Sequence, residues 1–181
     1  RHFRRQRQMC IRDRYYVGAA VAKADKDKLV FCFDLDSTLT YDPDRTVYYA
    51  DKDAYFDAAR DFGPNQQFLN YANHFVSQGH RIAIATARPM ARLTETMQWL
   101  DRYGIRYDQL MLSTDQVPSS LAKQSMLQNL QRYYKRVACL YDDSPWNLEG
   151  AALQGVPGRH VPTNCRYWEL NPEDVLSLIH I

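Results

Sequence analysis

The sequence predicts an α/β domain, a three-layer Rossmann-like fold in which a parallel β-sheet lies between helices on both faces. Apolar strand-like segments alternate with single helices, and this alternation requires the crossover connections that join parallel strands. No internal repeat, low-complexity tract or linker interrupts the pattern between Lys28 and Val161. The chain has 181 residues, 45% of them hydrophobic and 24% charged, which is enough for one domain with a substantial core.

Each predicted element has its own local signal. The strands are short apolar runs bounded by turn residues, at 29–34, 80–88, 108–114, 136–143 and about 159–161. The helices are predicted at about 64–79, 89–103, 119–134 and 144–153. Proline opens the first two helices, at Pro64 and Pro89, and glycine ends them, at Gly79 and Gly104. Residues 41–63 form a polar segment rich in Asp and Tyr, to which no element is assigned.

The two ends of the chain look foreign to the rest. The strings MCIRDR (residues 9–14) and LSLIHI (residues 176–181) can be encoded by reverse-complementary DNA, and they resemble a sequencing adapter translated from both ends of one insert. We therefore expect residues 1–14 and 176–181 to be artefacts and residues 15–175 to form the domain. Without the six arginines and one aspartate of residues 1–14, the 23 basic and 21 acidic residues become 17 and 20, a formal charge of −3. No basic field then remains to favour nonspecific binding to nucleic acid.

Cysteine usage and hydropathy indicate the setting of the protein. The four cysteines form no CxxC pair and no metal-ligand spacing; they are Cys10, Cys32, Cys139 and Cys165. Cys32 and Cys139 lie inside apolar strand-like runs, which predicts buried, reduced thiols in a cytoplasmic protein. No apolar segment approaches the length of a membrane span, and none has the composition of a secretory signal.

Polar side chains follow three predicted strands at their carboxyl ends, where parallel sheets bind ligands. In chain order they are Asp34, Asp36, Ser37 and Thr38, then Thr86 and Arg88, and last Asp142 and Asp143. Four carboxylates at one edge repel one another and are costly to bury, so we expect a positive charge to join them. Carboxylate oxygens in such a site are the ligands that Mg²⁺ prefers. Solvated acidic turns would explain one pair of aspartates well, but they explain two pairs at one edge poorly.

Lys123 is the candidate cationic side chain at this edge. It lies near the start of the helix that leads into the fourth strand, where the amino end of the helix also favours an anion. Lys135 is the alternative, but it lies at the far end of the same helix. A single lysine in a first helical turn is otherwise usually solvated surface.

Taken together, these motifs resemble the haloacid dehalogenase (HAD) superfamily of phosphohydrolases over residues 29–162. Four motifs stand in the order of that family: DLDST at 34–38, the threonine of ATARP at Thr86, Lys123, and the acidic pair at 142–143. Some members carry a large cap domain inserted after the first motif or before the lysine motif. Here both intervals are too short for one, which predicts an open site that accepts large substrates or is covered by a partner subunit.

The resemblance implies catalytic roles for the residues after the first strand. Asp34 would attack phosphorus and form an aspartyl-phosphate, and Asp36 would act as general acid and then as general base. Members of the superfamily that attack carbon lack the second aspartate, so Asp36 favours phosphomonoester hydrolysis over dehalogenation. Thr38 would support the loop and the geometry of Asp36, or would simply cap a turn.

The resemblance also implies ligands for a metal ion and for the phosphoryl group. The Mg²⁺ ligands would be the Asp34 side chain, the Asp36 backbone carbonyl, Asp142 and, directly or through water, Asp143. The phosphoryl oxygens would be bound by Thr86, Lys123 and Arg88. Lys123 would in addition neutralise Asp34, so that this carboxylate can approach an anion.

The run TARPMARLTETMQWLDRYGIRYDQLML, residues 86–112, is similar to the phosphatase half of polynucleotide kinase–phosphatases. This second resemblance implies a substrate with a nucleic-acid 3′-phosphate end, or a nucleotide. Arg92 would lie near the phosphate or, alternatively, on a solvated helix face. The aromatic residues of segment 41–63 could stack on bases, but we favour a flap packed on the sheet; they are Tyr41, Tyr48, Tyr49, Tyr55 and Phe56.

Three function classes therefore stay open. The first is an Mg²⁺-dependent phosphatase acting on nucleic-acid 3′-phosphate ends or nucleotides, and the second is a phosphatase of small metabolites. The third is a non-catalytic binding module with the same fold. A receiver domain fits poorly, because its acidic pair precedes a phospho-accepting aspartate on a later strand. A module without turnover would not need the full set of Asp34, Asp36, Thr86, Lys123 and Asp142.

Overall fold

The structure is a computed structural model that describes residues 16–19, 25–42, 50–114 and 117–162. Its strands are β1 (Tyr16–Ala19), β2 (Asp25–Phe33), β3 (Arg81–Pro89), β4 (Gln109–Ser113), β5 (Tyr134–Asp142) and β6 (Gly158–His160). Its helices are α1 (Lys52–Ala58), α2 (Gln66–Ser77), α3 (Leu93–Arg102), α4 (Ser119–Tyr133) and α5 (Pro145–Leu153). A 3₁₀ turn at Met90–Arg92 precedes α3.

Strand β2 lies near the middle of a six-stranded sheet with the order β1-β4-β3-β2-β5-β6. The pairs that connect β4 through to β6 are all parallel, and β1 pairs antiparallel with β4. Phe33, the last residue of β2, stands beside Ile84 of β3 and Tyr141 of β5. The carboxyl ends of these three strands therefore lie side by side, and the loops that follow them leave the sheet at the same edge.

Helices cover both faces of the sheet because successive residues of its buried strands point in opposite directions. Phe31 and Phe33 of β2 belong to a core cluster with buried residues of α2 and α3. Val30 and Cys32 belong to a second cluster with buried residues of α4 and α5. Within the first cluster the ring of Phe75 stacks on that of Phe31, with centroids 3.8 Å apart. The predicted three-layer α/β fold is confirmed.

The structure differs from the sequence prediction in four places. Pro64 does not open helix α2, which begins at Gln66 with Asn65 as its N-cap; instead Pro64 pairs with Thr40 in an isolated β-bridge. Strand β1 was not predicted, because four residues are too few for a periodic pattern. Segment 41–63 contains a helix, α1, whose N-cap Asp51 accepts hydrogen bonds from the backbone N–H groups of Asp53 and Ala54. Pro89 does not open a helix: it has φ −67° and ψ 152° and ends β3. The fixed φ of proline suits extended backbone as well as a first helical turn, so its position alone could not decide between them.

Several expectations concern thiols, membranes and the chain ends. Cys32 and Cys139 are buried free thiols, as expected, whereas Cys10 and Cys165 lie outside the described residues. Among the residues that the structure describes, no helix has both the length and the apolar character to cross a membrane. The expected artefacts at 1–14 and 176–181 also lie outside the described residues.

Replacing Phe75 with alanine should lower the free energy of unfolding by about 3–5 kcal/mol, the usual cost of truncating a buried phenylalanine. The side chain is fully buried and stacks on the central strand, so the variant leaves a cavity between α2 and the sheet. Chemical denaturation measures the change. Asn73→Ala, an exposed position on the same helix, is the control and should change stability by less than about 0.5 kcal/mol. Equal stability of the two variants would contradict this assignment of the core.

Candidate functional site

The loop after β2 is held in shape by hydrogen bonds among its own residues and the flap. Ser37 has φ 61°, in the left-handed region that residues other than glycine rarely adopt. Its backbone N–H donates to Thr40 Oγ1 at 3.0 Å, and its hydroxyl donates to Asp42 Oδ2 at 3.2 Å. The hydroxyl of Tyr55 in α1 donates to the same Asp42 oxygen at 2.8 Å. Thr40 and Asp42, which the sequence analysis did not select, therefore stabilise the strained turn that follows Asp34.

Lys123 places a buried ammonium group at the carboxyl edge of the sheet. Its Nζ donates to Asp34 Oδ1 at 2.6 Å and to the backbone carbonyl of Ala85, and it lies 3.0 Å from Asp142 Oδ2. Burial by itself lowers the pKa of Lys123, but the carboxylates of Asp142 and Asp34 raise it above its ordinary value. The side chain therefore stays charged and supplies the positive charge expected here. The alternative, Lys135, is exposed at the amino end of β5.

Three buried carboxylates meet beside this ammonium group. Asp34, Asp142 and Asp143 each offer an oxygen, and these oxygens lie within 4.8 Å of one another. Burial raises the pKa of Asp34 to about 7, with Lys123 opposing the shift and Asp142 adding to it. Three carboxylate oxygens at this spacing fit a hard divalent cation such as Mg²⁺, which would offset the two negative charges that Lys123 leaves unbalanced.

Asp142 and Asp143 have different surroundings although they are adjacent. Asp142 is fully buried, and besides contacting Lys123 it accepts from the Ser144 backbone N–H at 2.9 Å. It also accepts from Asn147 Nδ2 at 2.9 and 3.1 Å. Asp143 lines an open cavity instead. Sequence analysis missed Asn147; an amide in the first turn of the helix after an acidic pair is the signal that could have indicated it.

Asp36 forms a bidentate ion pair with Arg88, which is almost fully buried. Arg88 Nη2 donates to Asp36 Oδ1 at 2.6 Å, and Nε donates to Oδ1 at 3.1 Å and Oδ2 at 2.9 Å. Burial by itself lowers the pKa of Arg88, but Asp36 raises it above its usual value. The Arg88 backbone N–H donates to Thr86 Oγ1 at 3.1 Å, and Nη1 donates to Thr96 Oγ1 at 3.4 Å. Arg88 thus binds a carboxylate in the structure, and its predicted role in phosphate binding stays a prediction.

A cavity of about 260 Å³ opens at this edge of the sheet. Its lining residues come from the loops after β2 and β5, from the end of β3, from α1 and from the starts of α4 and α5. They are Asp34, Asp36, Tyr55, Phe56, Ala87, Arg88, Ser119, Asp143, Ser144, Trp146 and Asn147. Thr86, Lys123 and Asp142 are fully buried and contact lining residues without belonging to the wall themselves. The structure therefore brings the predicted residues together in two shells, one facing the cavity and one supporting it.

Two predicted residues have surroundings that differ from their expected roles. Thr38 is fully buried, but among the described residues its hydroxyl makes no hydrogen bond, so its support of Asp36 stays a prediction. Arg92 does not line the cavity. It pairs with Asp57 at 2.5 Å and Asp53 at 3.4 Å in α1, and with Glu95 at 3.3 Å. Arg92 therefore connects α1 with the start of α3 through ion pairs.

Among the predicted aromatic residues of the flap, Tyr55 and Phe56 are packed, and Tyr41 is half-buried. Tyr55 is 1% exposed and Phe56 is 7% exposed, and both pack with Ala59 and Phe62. This agrees with the favoured interpretation of a packed flap, although both side chains also reach the cavity wall. Tyr48 and Tyr49 lie outside the described residues.

Comparison with known proteins gives matches of fold. No family model and no curated protein sequence matches the chain. A chain of the Pnkp1/Rnl/Hen1 RNA repair complex superposes with a TM-score of 0.65 at 22% identity, covering 83% of this chain and 47% of that one. A candidate HAD-like phosphatase from Mesorhizobium loti gives 0.60 at 11% identity and 94% coverage of both chains. A haloacid dehalogenase-like hydrolase from Streptococcus pneumoniae gives 0.53 at 15% identity, covering 83% of this chain and 98% of that one.

These similarities define a class of fold. The expected resemblance to HAD-like phosphatases, with the Pnkp1 repair complex among the similar structures, is confirmed at the level of the fold. The chain spans about half the length of the repair-complex chains that it matches.

Replacing Lys123 with methionine should lower the free energy of unfolding by about 3–5 kcal/mol, because it leaves Asp34 and Asp142 buried without their cation. Thermal or chemical denaturation measures the loss. Lys135→Met, at an exposed position, is the matched control and should change stability by less than about 0.5 kcal/mol.

A double variant separates charge from packing in this prediction. Adding Asp34→Asn to Lys123→Met removes one unpaired carboxylate, so the double variant should be more stable than Lys123→Met alone. If Lys123→Met and Lys135→Met unfolded alike, the buried ion network would be refuted.

Proposed function

We propose that this protein is an Mg²⁺-dependent phosphomonoester hydrolase that works through an aspartyl-phosphate and acts on nucleic-acid 3′-phosphate ends or nucleotides. The observation that carries the proposal is Asp34, a carboxylate on the cavity wall whose charge is balanced from behind by the buried ammonium of Lys123. A carboxylate facing an anionic phosphate must be neutralised before it can attack, and this contact neutralises it.

In the first step, an Asp34 carboxylate oxygen attacks phosphorus while the bond from phosphorus to the leaving oxygen breaks. Asp36 gives its proton to that oxygen, so that the leaving group departs as a neutral alcohol. In the second step, water attacks the phosphorus of the aspartyl-phosphate and gives a proton to the Asp36 carboxylate. The bond from phosphorus to Asp34 breaks, and inorganic phosphate and free Asp34 result.

Arg88 connects Asp36 to the phosphate. In the structure its guanidinium donates to both carboxylate oxygens of Asp36 and so orients that side chain. An incoming phosphoryl anion would compete with Asp36 for the same guanidinium. Transfer of Arg88 to the phosphate would then loosen the ion pair and leave the Asp36 carboxyl group free to face the leaving oxygen.

The proposed metal ligands are three buried aspartate side chains and one backbone carbonyl. Asp34, Asp142 and Asp143 would each give a carboxylate oxygen to Mg²⁺, together with the Asp36 backbone carbonyl. Asp34 and Asp143 line the cavity, whereas Asp142 is buried and held by Lys123, Ser144 and Asn147. Bound there, the ion would neutralise and orient the phosphoryl oxygens. Thr86 and Lys123 are fully buried and do not line the cavity. We therefore expect Thr86 mainly to position Arg88 and Lys123 mainly to position and neutralise Asp34.

The substrate class rests on the resemblance of residues 86–112 and on the fold match to a chain of an RNA repair complex. The cavity is walled by short elements, with α1 alone between β2 and α2 in the described residues. A site walled in this way can admit the end of a large molecule. The free thiols Cys32 and Cys139 agree with a reducing, cytoplasmic location.

The purified protein should hydrolyse a generic aryl phosphate in the presence of Mg²⁺ and lose this activity when EDTA removes the ion. Asp34→Asn should lower kcat by a factor on the order of 10⁴ or more, because an amide cannot serve as the nucleophile. Steady-state kinetics measure both effects.

The control for this loss is Asp101→Asn, at an exposed position away from the cavity, which should leave kcat within about twofold. Circular dichroism should show the same fold for both variants. Retained activity in Asp34→Asn would refute the nucleophile, and activity that survives EDTA would refute the metal requirement.

A panel of phosphate esters should show the highest kcat/KM for a 3′-phosphorylated oligonucleotide, a lower value for nucleotides, and the lowest for sugar phosphates. The expected order follows from the larger contact that a nucleotide makes with the rim of the cavity. Release of inorganic phosphate is the measurement. Equal kcat/KM on all substrates, or the highest value on a sugar phosphate, would point to a phosphatase of small metabolites instead.

A further inference from the structure

Trp146 is an exposed aromatic side chain on the wall of the catalytic cavity. It is the second residue of α5, and 69% of it is exposed, whereas the other described tryptophan, Trp99, is buried. It lines the same cavity as Asp34 and Asp36. A large apolar side chain that stays in water is informative when it borders a functional concavity, since such surface is commonly covered by a ligand.

The backbone places Trp146 close to the phosphate end of the cavity. It lies three residues after Asp143 and directly before Asn147, whose amide binds Asp142. Pro145 begins the helix at the preceding position, with its φ fixed by the ring. The indole is therefore attached to the first turn of α5, whose position is fixed by the contact between Asn147 and Asp142.

The cavity divides into a polar part and an aromatic part. Carboxylates and Arg88 form the polar part, which the phosphoryl group and its ion would occupy. Phe56 and Tyr55 of α1 form one aromatic wall and are packed, while Trp146 of α5 is the exposed aromatic group. The group that carries the phosphate would extend from the polar part past the indole.

We propose, on the basis of the function proposed above, that Trp146 stacks on the base of the nucleotide that carries the phosphate and thereby sets specificity for nucleotide ends. Stacking on an indole needs no cation, and the expected domain, residues 15–175, carries a formal charge of −3. Every base has an aromatic face, so Trp146 selects for the presence of a terminal base and little for its identity.

Two substrates isolate this contact: a 3′-phosphorylated oligonucleotide, and the same oligonucleotide ending in a 3′-phosphorylated abasic residue. The ratio of their kcat/KM values, base over abasic, should fall roughly tenfold or more in Trp146→Ala, mainly through KM. Trp146→Phe keeps a stacking ring and should keep most of the ratio. Leu153→Ala, which removes another exposed apolar side chain of α5 away from the cavity, should leave the ratio unchanged.

A binding measurement separates failure of this inference from failure of the proposed function. In Asp34→Asn, which should bind without turnover, the 3′-phosphorylated oligonucleotide should quench tryptophan fluorescence, and adding Trp146→Phe should remove most of the quench. An unchanged kcat/KM ratio in Trp146→Ala, or an equal loss on both substrates, would overturn the stacking role while leaving the phosphatase intact. If the wild type cleaved neither oligonucleotide, the polynucleotide substrate would be refuted, and the presence or absence of the quench would then decide the stacking.

Discussion

The buried ammonium of Lys123 is the contact on which the site depends, because it joins the carboxyl ends of the three central strands. Its Nζ donates hydrogen bonds to Asp34 after β2 and to the Ala85 carbonyl in β3, and it forms an ion pair with Asp142 at the end of β5. A buried ion network is tolerable only when its charges and hydrogen bonds are matched, and the shortfall of positive charge that remains is what a divalent ion would supply.

This arrangement divides the site between groups that can react and groups that hold them. Asp34, Asp36 and Asp143 line the cavity. Asp34 pairs with the buried Lys123, Asp36 pairs with Arg88 on the same wall, and Asp143 follows the buried Asp142. Charged side chains that are already fixed in position do not have to reorient when charge develops during a reaction. The same buried groups also hold the loops at the strand ends in place. One network of contacts therefore contributes both to the stability of the fold and to the geometry of the site.

The sequence predicted the fold and the position of the site because both depend on patterns that are local in the chain. Apolar runs define the strands, and their carboxyl ends define the edge where Asp34, Thr86 and Asp142 emerge. What could not be predicted depends on side-chain direction in three dimensions. The Arg88–Asp36 pair joins residues 52 positions apart, and the division between Asp142 and Asp143 depends on which way two adjacent side chains point. Trp146 resembled an ordinary helix residue until its exposure beside the cavity was known.

Helix α1 of the flap and helix α5 both contribute aromatic residues to the lining of the cavity. Arg92 forms an ion pair with Asp57 of α1, and Tyr55 connects α1 to the loop after β2 through a hydrogen bond to Asp42. Because α1 is fixed at these two points, the wall made by Tyr55 and Phe56 is set by the same contacts that shape the loop after Asp34. On the function proposed above, the carboxylates, a bound ion and Arg88 would contact only the phosphoryl group, so this part of the cavity would accept any phosphate ester. Discrimination among substrates would then come from the aromatic residues that line the cavity, of which Trp146 is the exposed one.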